Sequence, residues 1–314
     1  MIQVEHLTKK FGRIVAVDDI SFRIKKGEII GFLGPNGAGK STTMNILTGC
    51  ISASEGKALI NGIDILEEPA KVKKMIGYLP ENPPLYGEMT AKEFLHTVCD
   101  LKNIPKPVRK DEINRVMKRV GIVDVSGRLI RNLSKGYKQR VGLAQAMIGK
   151  PPIMILDEPT VGLDPGQIIG IRNLINDLGR DHTVILSSHI LSEVQAVCER
   201  VMIIAKGKII ASDTPENLSQ HLFGSNRLFV SVAAETAAVE KTVKSIPDII
   251  EYQVEEGEEI GAVSVKMKAA ENTDIRKAVF SAFAAANQPL LMMRPIDMSL
   301  EEIFLDLTRA EVEL

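Results

Sequence analysis

The sequence predicts an α/β domain built on a parallel sheet, followed by a smaller α+β domain. Three observations carry this. Short Val- and Ile-rich runs alternate with helical stretches through the first part of the chain. Several of these runs, such as IMIL at 153–156 and VIL at 184–186, are apolar on consecutive positions, as strands covered on both faces must be. Beyond about residue 220 the order of elements changes to one that suits helices packed on one face of an antiparallel sheet.

In chain order, strands are expected at IQVEHLT, DDISFRI and EIIGFLG, then a helix from Lys40, then strands at ALING, IGYLP, PIMILDE, TVILSSH and VMIIAKGKIIA. A helical region is expected over about 85–150, with Leu133 to Met147 as one of its helices. The segment DTPENL at 213–218 reads as a Pro-containing cap before a short helix, and the domain boundary is placed after it, at 221–226. The first domain thus spans 1–220 and the second 227–314. The second reads strand (RLFVSVAA), helix (TAAVEKTVKSI), strand (IEYQVEE), strand (AVSVKMKA), helix (TDIRKAVFSAFAAANQ), strand (PLLMMRPI) and a last helix from Ser299. That βαββαβ order is the order of a ferredoxin-like sandwich. No catalytic constellation falls in it.

A chain of 314 residues that is 45% hydrophobic and 25% charged, with a formal net charge of −1, belongs among globular proteins of one large or two modest domains. The balanced charge gives no pointer to nucleic acid. The start, MIQVEHLTKKFGRIVAVDD, mixes charged and apolar residues and does not resemble a secretory signal, so a cytoplasmic protein is expected. Apolar runs such as Val201 to Ala205 fall far short of the ~20 residues of a membrane helix, so any membrane role must come through a partner. Cys50, Cys99 and Cys198 are scattered without CxxC spacing and are expected to be reduced structural thiols.

The chemistry-bearing motif is Gly34-Pro35-Asn36-Gly37-Ala38-Gly39-Lys40-Ser41, which fits G-x-x-x-x-G-K-[ST] between the strand EIIGFL and a helix. Glycines let backbone N–H groups turn toward phosphate oxygens, Lys40 reaches the β- and γ-phosphates, and the Ser41 hydroxyl suits Mg²⁺. The strand PIMIL ends in Asp157-Glu158, which puts two carboxylates at the carboxyl end of the sheet, where open α/β folds bind ligands. Asp157 is expected in the Mg²⁺ shell, and Glu158 is expected to polarise an attacking water as general base. His189 closes a third such strand and is expected to contact the γ-phosphate.

Taken in order, these motifs make residues 1 to about 220 resemble an ATP-binding cassette (ABC) ATPase. The resemblance makes Phe11 the aromatic that stacks on adenine, Gly34 to Thr42 the Walker A loop, and Glu81 in GYLPEN the Q-loop position, beside the metal. Leu133 to Tyr137 falls at the signature, Asp157 and Glu158 at Walker B, Gly162-Leu163-Asp164 at the D-loop, and His189 at the switch histidine. In this family the signature of one subunit binds the γ-phosphate held by the P-loop of another. The resemblance therefore implies two ATP molecules sandwiched in a head-to-tail dimer, with Ser134, Gly136 and Asp164 contributing across the interface. Read without the family, Leu133 to Gly136 is an N-capped helix start.

Two motifs depart from the family pattern. LSKGY replaces the commoner LSGGQ, so Lys135 stands for a glycine and Tyr137 for a glutamine, and Glu81 stands where a glutamine is usual. The LPE sequence is similar to that of drug- and polysaccharide-exporting relatives. The tail SLEEIFLDLT at 299–308 resembles ATPase subunits whose membrane permease is a separate polypeptide, while its i, i+3, i+4, i+7 apolar spacing alone predicts a helix packed on its own domain. The resemblance implies a motor subunit that uses ATP and Mg²⁺, pairs with a second ATP-binding subunit, and sits at the inner face of the membrane through its permease. Two other classes compete: a soluble ABC ATPase of translation or DNA repair, against which stand the single cassette and the lack of a heptad run, and a non-hydrolysing switch, against which stand Glu158 and His189.

Overall fold

The structure, a computed structural model, describes residues 1–221, 227–257, 261–270 and 273–295. The helix expected from Ser299 lies outside the described residues. The chain forms two compact units, Met1–Pro215 and Glu216–Leu314, so the division falls at the first residue of the short helix Pro215–His221.

In the first unit the strands β1 (Ile2–Phe11) and β2 (Ile14–Ile24) form a hairpin, followed by β3 (Ile29–Leu33) and helix α1 (Lys40–Leu47). Then come β4 (Glu55–Ile60), β5 (Ile63–Asp64), α2 (Pro69–Lys74) and β6 (Ile76–Leu79). A helical stretch holds α3 (Ala91–Leu101), α4 (Lys106–Val120) and α5 (Lys135–Met147). The unit continues through β7 (Ile153–Asp157), α6 (Pro165–Gly179), β8 (Thr183–Ser188), α7 (Leu191–Gln195), β9 (Arg200–Ala205) and β10 (Lys208–Asp213).

These strands form two sheets. The first is antiparallel in the order β2-β1-β4-β5, and the second runs β10-β9-β3-β8-β7-β6, parallel except for the β10 edge. The single run expected at VMIIAKGKIIA is a hairpin, because Lys206 and Gly207 both take positive φ and reverse the chain between β9 and β10. Strand patterns alone do not reveal the separate antiparallel sheet, since its partners are settled only by pairing across distant segments.

One apolar core lies between the two sheets. Ile2, Val4, Leu7, Val17 and Ile20 from the antiparallel sheet meet Ile30, Phe32, Ile155, Ile185 and Met202 from the parallel one, and Met44 and Leu47 from α1. Phe22 and Phe32 join the sheets edge to face, with centroids 5.4 Å apart. Alternate residues of β3 point the other way: a Cβ on Gly31 would meet Val194 of α7 at 2.3 Å, so only glycine admits that helix so close.

The helical stretch is held by local chemistry. Thr90 and Glu93 form a reciprocal capping box at the start of α3. The Lys102 ammonium donates to the carbonyls of Gln145, Ala146 and Ile148, satisfying the end of α5. Helix α5 begins at Lys135 with Ser134 as its N-cap, not at Leu133. Cys99 and Cys198 are buried and unpaired, as expected; Cys50 is exposed instead, its Sγ near the Thr48 hydroxyl.

The second unit opens with α8 (Pro215–His221), then β11 (Arg227–Val232), α9 (Thr236–Lys244), β12 (Ile249–Glu256), β13 (Val263–Ala269), α10 (Arg276–Ala285) and β14 (Leu290–Pro295). Its antiparallel sheet runs β12-β13-β11-β14. Alternating residues of β11 and β13, among them Val230, Val232, Val263 and Val265, pack against Val239 and Val243 of α9 and Val279 and Phe283 of α10.

Candidate active site

Parallel pairing places several strand ends side by side. β3, β8 and β7 are neighbours, in register so that Leu33 lies opposite Ser188 and Asp157 opposite Ser187. β6 adds its end beyond β7, with Leu79 opposite Leu156. The segments just past these strands therefore gather at one edge of the sheet: the glycine loop after β3, Glu81 after β6, Glu158 after β7 and His189 after β8. Residues 35–42, Glu81, Glu158, Val161 and His189 line one cleft of about 310 Å³.

The loop's backbone depends on glycine. Gly39, the N-cap of α1, sits at φ 106°, and a Cβ there would meet the Ala16 carbonyl at 2.5 Å. The β9–β10 turn links the loop to β2: the Gly207 amide donates to the Ala38 carbonyl at 3.0 Å, and the Asp18 amide donates to the Gly207 carbonyl at 2.9 Å. Lys40 is buried; its Nζ donates to the Gly34 carbonyl at 2.7 Å and lies 3.4 Å from Glu158 Oε1. A buried ammonium at the start of a helix favours an anion there.

Ser41 and Asp157 meet on the adjoining strand end. The Ser41 hydroxyl donates to Asp157 Oδ1 at 3.1 Å, and the Ser187 hydroxyl donates to the same oxygen at 2.5 Å. Burial pushes the Asp157 carboxyl above its ordinary range, and the two hydroxyl donors act in the opposite sense. Ser187 also accepts from the Glu158 amide at 2.9 Å, so one hydroxyl orients both acidic residues. Sequence reasoning gives the Ser187-Ser188 pair no role. The available signal is two small hydroxyl residues closing a fully buried strand.

Glu158 sits at φ 48°, in the left-handed region, where a non-glycine residue carries about 1–3 kcal/mol of strain. Its side chain is 6% exposed. Oε2 lies 2.9 Å from His189 Nδ1, while Oε1 has no hydrogen-bond partner, its Lys40 neighbour being at ion-pair distance only. A carboxylate held this way between a cation and an imidazole, in a residue that lines the cleft, has the chemistry to take a proton from water.

The remaining expected residues lie outside that cleft. Phe11 ends β1 at the hairpin tip, half exposed, with Lys9 Nζ 5.0 Å above its ring. Ser134 caps α5, its Oγ accepting from the Tyr137 amide at 3.4 Å. Asp164 caps α6, its Oδ1 accepting from the Gln167 amide at 3.0 Å. These two caps adjoin within the chain: a Cβ on Gly136 would come within 2.0 Å of Gln167 Oε1, and a Cβ on Gly162 within 2.1 Å of Lys135 Nζ. Lys135, one of the residues that depart from the family pattern, thus lies along the turn that leads to Asp164. Tyr137, the other departure in the signature, donates to Asp124 Oδ2 at 3.1 Å.

Comparison with known proteins points to one family. The family model described as ABC transporter matches residues 17–161. The linearmycin resistance ATP-binding protein LnrL of Bacillus subtilis is 32% identical over 311 residues, covering 98% of each chain. The ABC transporter ATP-binding protein NatA of the same organism is 38% identical over 222 residues, covering 69% of this chain and 90% of NatA. Among solved structures, the ATP-binding cassette MJ0796, in a dimeric post-hydrolysis state bound to ADP and Pi, superposes with a TM-score of 0.63 at 26% identity. That match covers 68% of this chain and 98% of the other.

Proposed function

From a chain that belongs to the ABC transporter ATP-binding family, and so to a family of ATPases, we propose a motor subunit that energises export through a separate membrane permease. The observation that carries this is the convergence of the glycine loop, Glu158 and His189 in one cleft, with His189 2.9 Å from Glu158. In this reading Gly34 to Thr42 cradle the phosphates of ATP, Phe11 stacks on adenine, and Lys40 leaves its carbonyl contacts for the β- and γ-phosphates. Glu158 takes the proton of the attacking water, and His189 holds Glu158 and the γ-phosphate in register.

The donor set fits Mg²⁺. Ser41 and Asp157 offer adjacent oxygens, with Glu81 across the cleft, and no cluster of three or more His, Cys, Asp and Glu forms a cation cage among the described residues. A small hard cation of this kind takes one or two protein oxygens and completes its shell with phosphate and water. When bound, it neutralises charge on the β- and γ-phosphates.

Ser134, Gly136 and Asp164 face a second copy in this reading, completing its nucleotide site in a head-to-tail homodimer. No helix among the described residues is long and apolar enough to cross a membrane. In this reading a separate permease carries the transport path and holds the chain at the inner face. Export is favoured by the roles the relatives are named for, linearmycin resistance and, for YbhF of Escherichia coli at 35% identity over 219 residues, probable multidrug transport. Affinity purification from membranes tests the partner: a polytopic membrane protein is the expected companion, and recovery with ribosomes or DNA instead would overturn the transport reading.

A further inference from the structure

Glu193 belongs to none of the motifs above, yet it is 3% exposed in the short helix α7. A buried carboxylate costs stability unless its oxygens are well partnered. Oε2 accepts from the Thr160 hydroxyl and, at 3.1 Å, from the Ser188 hydroxyl, while Oε1 has no hydrogen-bond partner among the described residues. An apolar side chain would cost less here, so packing does not explain the residue.

Its two partners explain it. Thr160 lies in the turn after Glu158, where the Val161 amide donates to the Glu158 carbonyl at 3.2 Å and the Leu163 amide to the Thr160 carbonyl at 3.2 Å. Ser188 precedes His189, and its Oγ also accepts from the Ile190 amide at 3.0 Å, so this hydroxyl spans the histidine. One carboxylate oxygen thus ties the segment carrying Glu158 to the segment carrying His189. We infer that Glu193 is a positioning residue for ATP hydrolysis, which fixes His189 against Glu158 by holding the Thr160 turn and the Ser188 strand end together. The inference rests on the roles proposed above for Glu158 and His189.

The test is steady-state ATP hydrolysis by the full chain with Mg²⁺, comparing Glu193→Leu and Glu193→Gln, each alone and with His189→Ala. Displacement of catalytic groups by about 1 Å can cost up to about a hundredfold. Glu193→Leu is therefore expected to lower kcat roughly ten- to hundredfold with KM for ATP unchanged, and Glu193→Gln, which keeps an acceptor oxygen, to recover most of it. Because Glu193 acts through His189, Glu193→Leu adds no further loss in the His189→Ala background. Unchanged kcat in Glu193→Leu, or losses that multiply in the double variant, would overturn the inference. Should Glu193→Leu not fold, the Thr160→Val/Ser188→Ala pair carries the same test: a kcat loss that vanishes with His189→Ala supports the inference, and full activity sinks it. Normal turnover by Glu193→Leu beside an inactive Glu158→Gln would overturn this inference alone. Normal turnover by His189→Ala would overturn the reading of His189 and this inference with it.

Discussion

His189 Nδ1 lies 2.9 Å from Glu158 Oε2, so the side chains that end two neighbouring strands meet in one hydrogen bond. The contact engages Oε2, and the other oxygen, Oε1, lies 3.4 Å from Lys40 Nζ. Removing the base should spare binding and abolish chemistry. Glu158→Gln is expected to bind ATP as the parent does and to lose turnover by roughly 10²–10⁴. Isothermal titration beside a phosphate-release assay checks both halves.

Lys40 makes its contacts at the loop's own carbonyls and near Glu158, with no other acidic group within ion-pair distance among the described residues. A charge-assisted hydrogen bond is worth about 1.5–3 kcal/mol. Lys40→Ala should thus weaken ATP binding roughly ten- to hundredfold, and unchanged affinity by titration would contradict the phosphate contact.

Ser187 satisfies Asp157 and the Glu158 amide with one hydroxyl in a fully buried position. Ser187→Ala leaves the Asp157 carboxylate with Ser41 as its remaining hydroxyl donor and strands the Glu158 amide. The expected loss is about 1–3 kcal/mol of stability, read as a lower urea midpoint at unchanged slope.

Gly136 and Gln167 offer a way to separate packing from function. The atom a Gly136 Cβ would strike is the end of a flexible side chain, so Gly136→Ala should fold, with stability changed by less than about 1 kcal/mol. ATP-dependent dimerisation should nevertheless weaken, because the added methyl stands where the partner's phosphate is proposed to approach. Dimer content by light scattering, with and without Gln167→Ala, distinguishes the two effects: restoration by Gln167→Ala would assign the defect to packing within the chain.

Lys102 gives a pH signature. Burial pushes its ammonium down to about 8, below the usual lysine range, even though three carbonyls accept from it. The unfolded chain keeps this proton up to about pH 10.4, so between about pH 8 and pH 10.4 the unfolded state binds more protons and stability rises with pH. The contribution is fully present above that window and is lost as pH falls through about 8. Relative to Lys102→Met, the parent should gain up to about 3 kcal/mol from pH 7 to pH 10 by urea unfolding, and parallel curves would contradict the shift.

The parallel sheet and its ligand edge are legible in the sequence because buried strands write themselves as consecutive apolar residues, and polar groups follow within a few positions of several of their ends. The run IMIL-Asp157-Glu158 shows both features at once. The glycine loop is legible because its spacing has a narrow physical purpose. Less legible are residues whose role depends on what lies across the sheet. Ser187 and Glu193 are common residue types, and nothing in a linear reading brings Ser188 and Thr160 to one carboxylate oxygen. The packing of Gln167 over Gly136 is hidden for the same reason, being a tertiary contact between two helix starts.

The most direct test of the proposed motor is ATPase rate against protein concentration for the parent and Glu158→Gln, with mass by light scattering at each point. A head-to-tail motor predicts a rate per chain that rises with concentration, and an ATP-dependent dimer that persists in Glu158→Gln. A fully active monomer, with turnover independent of concentration, would contradict it and leave Ser134 and Gly136 as a helix start alone.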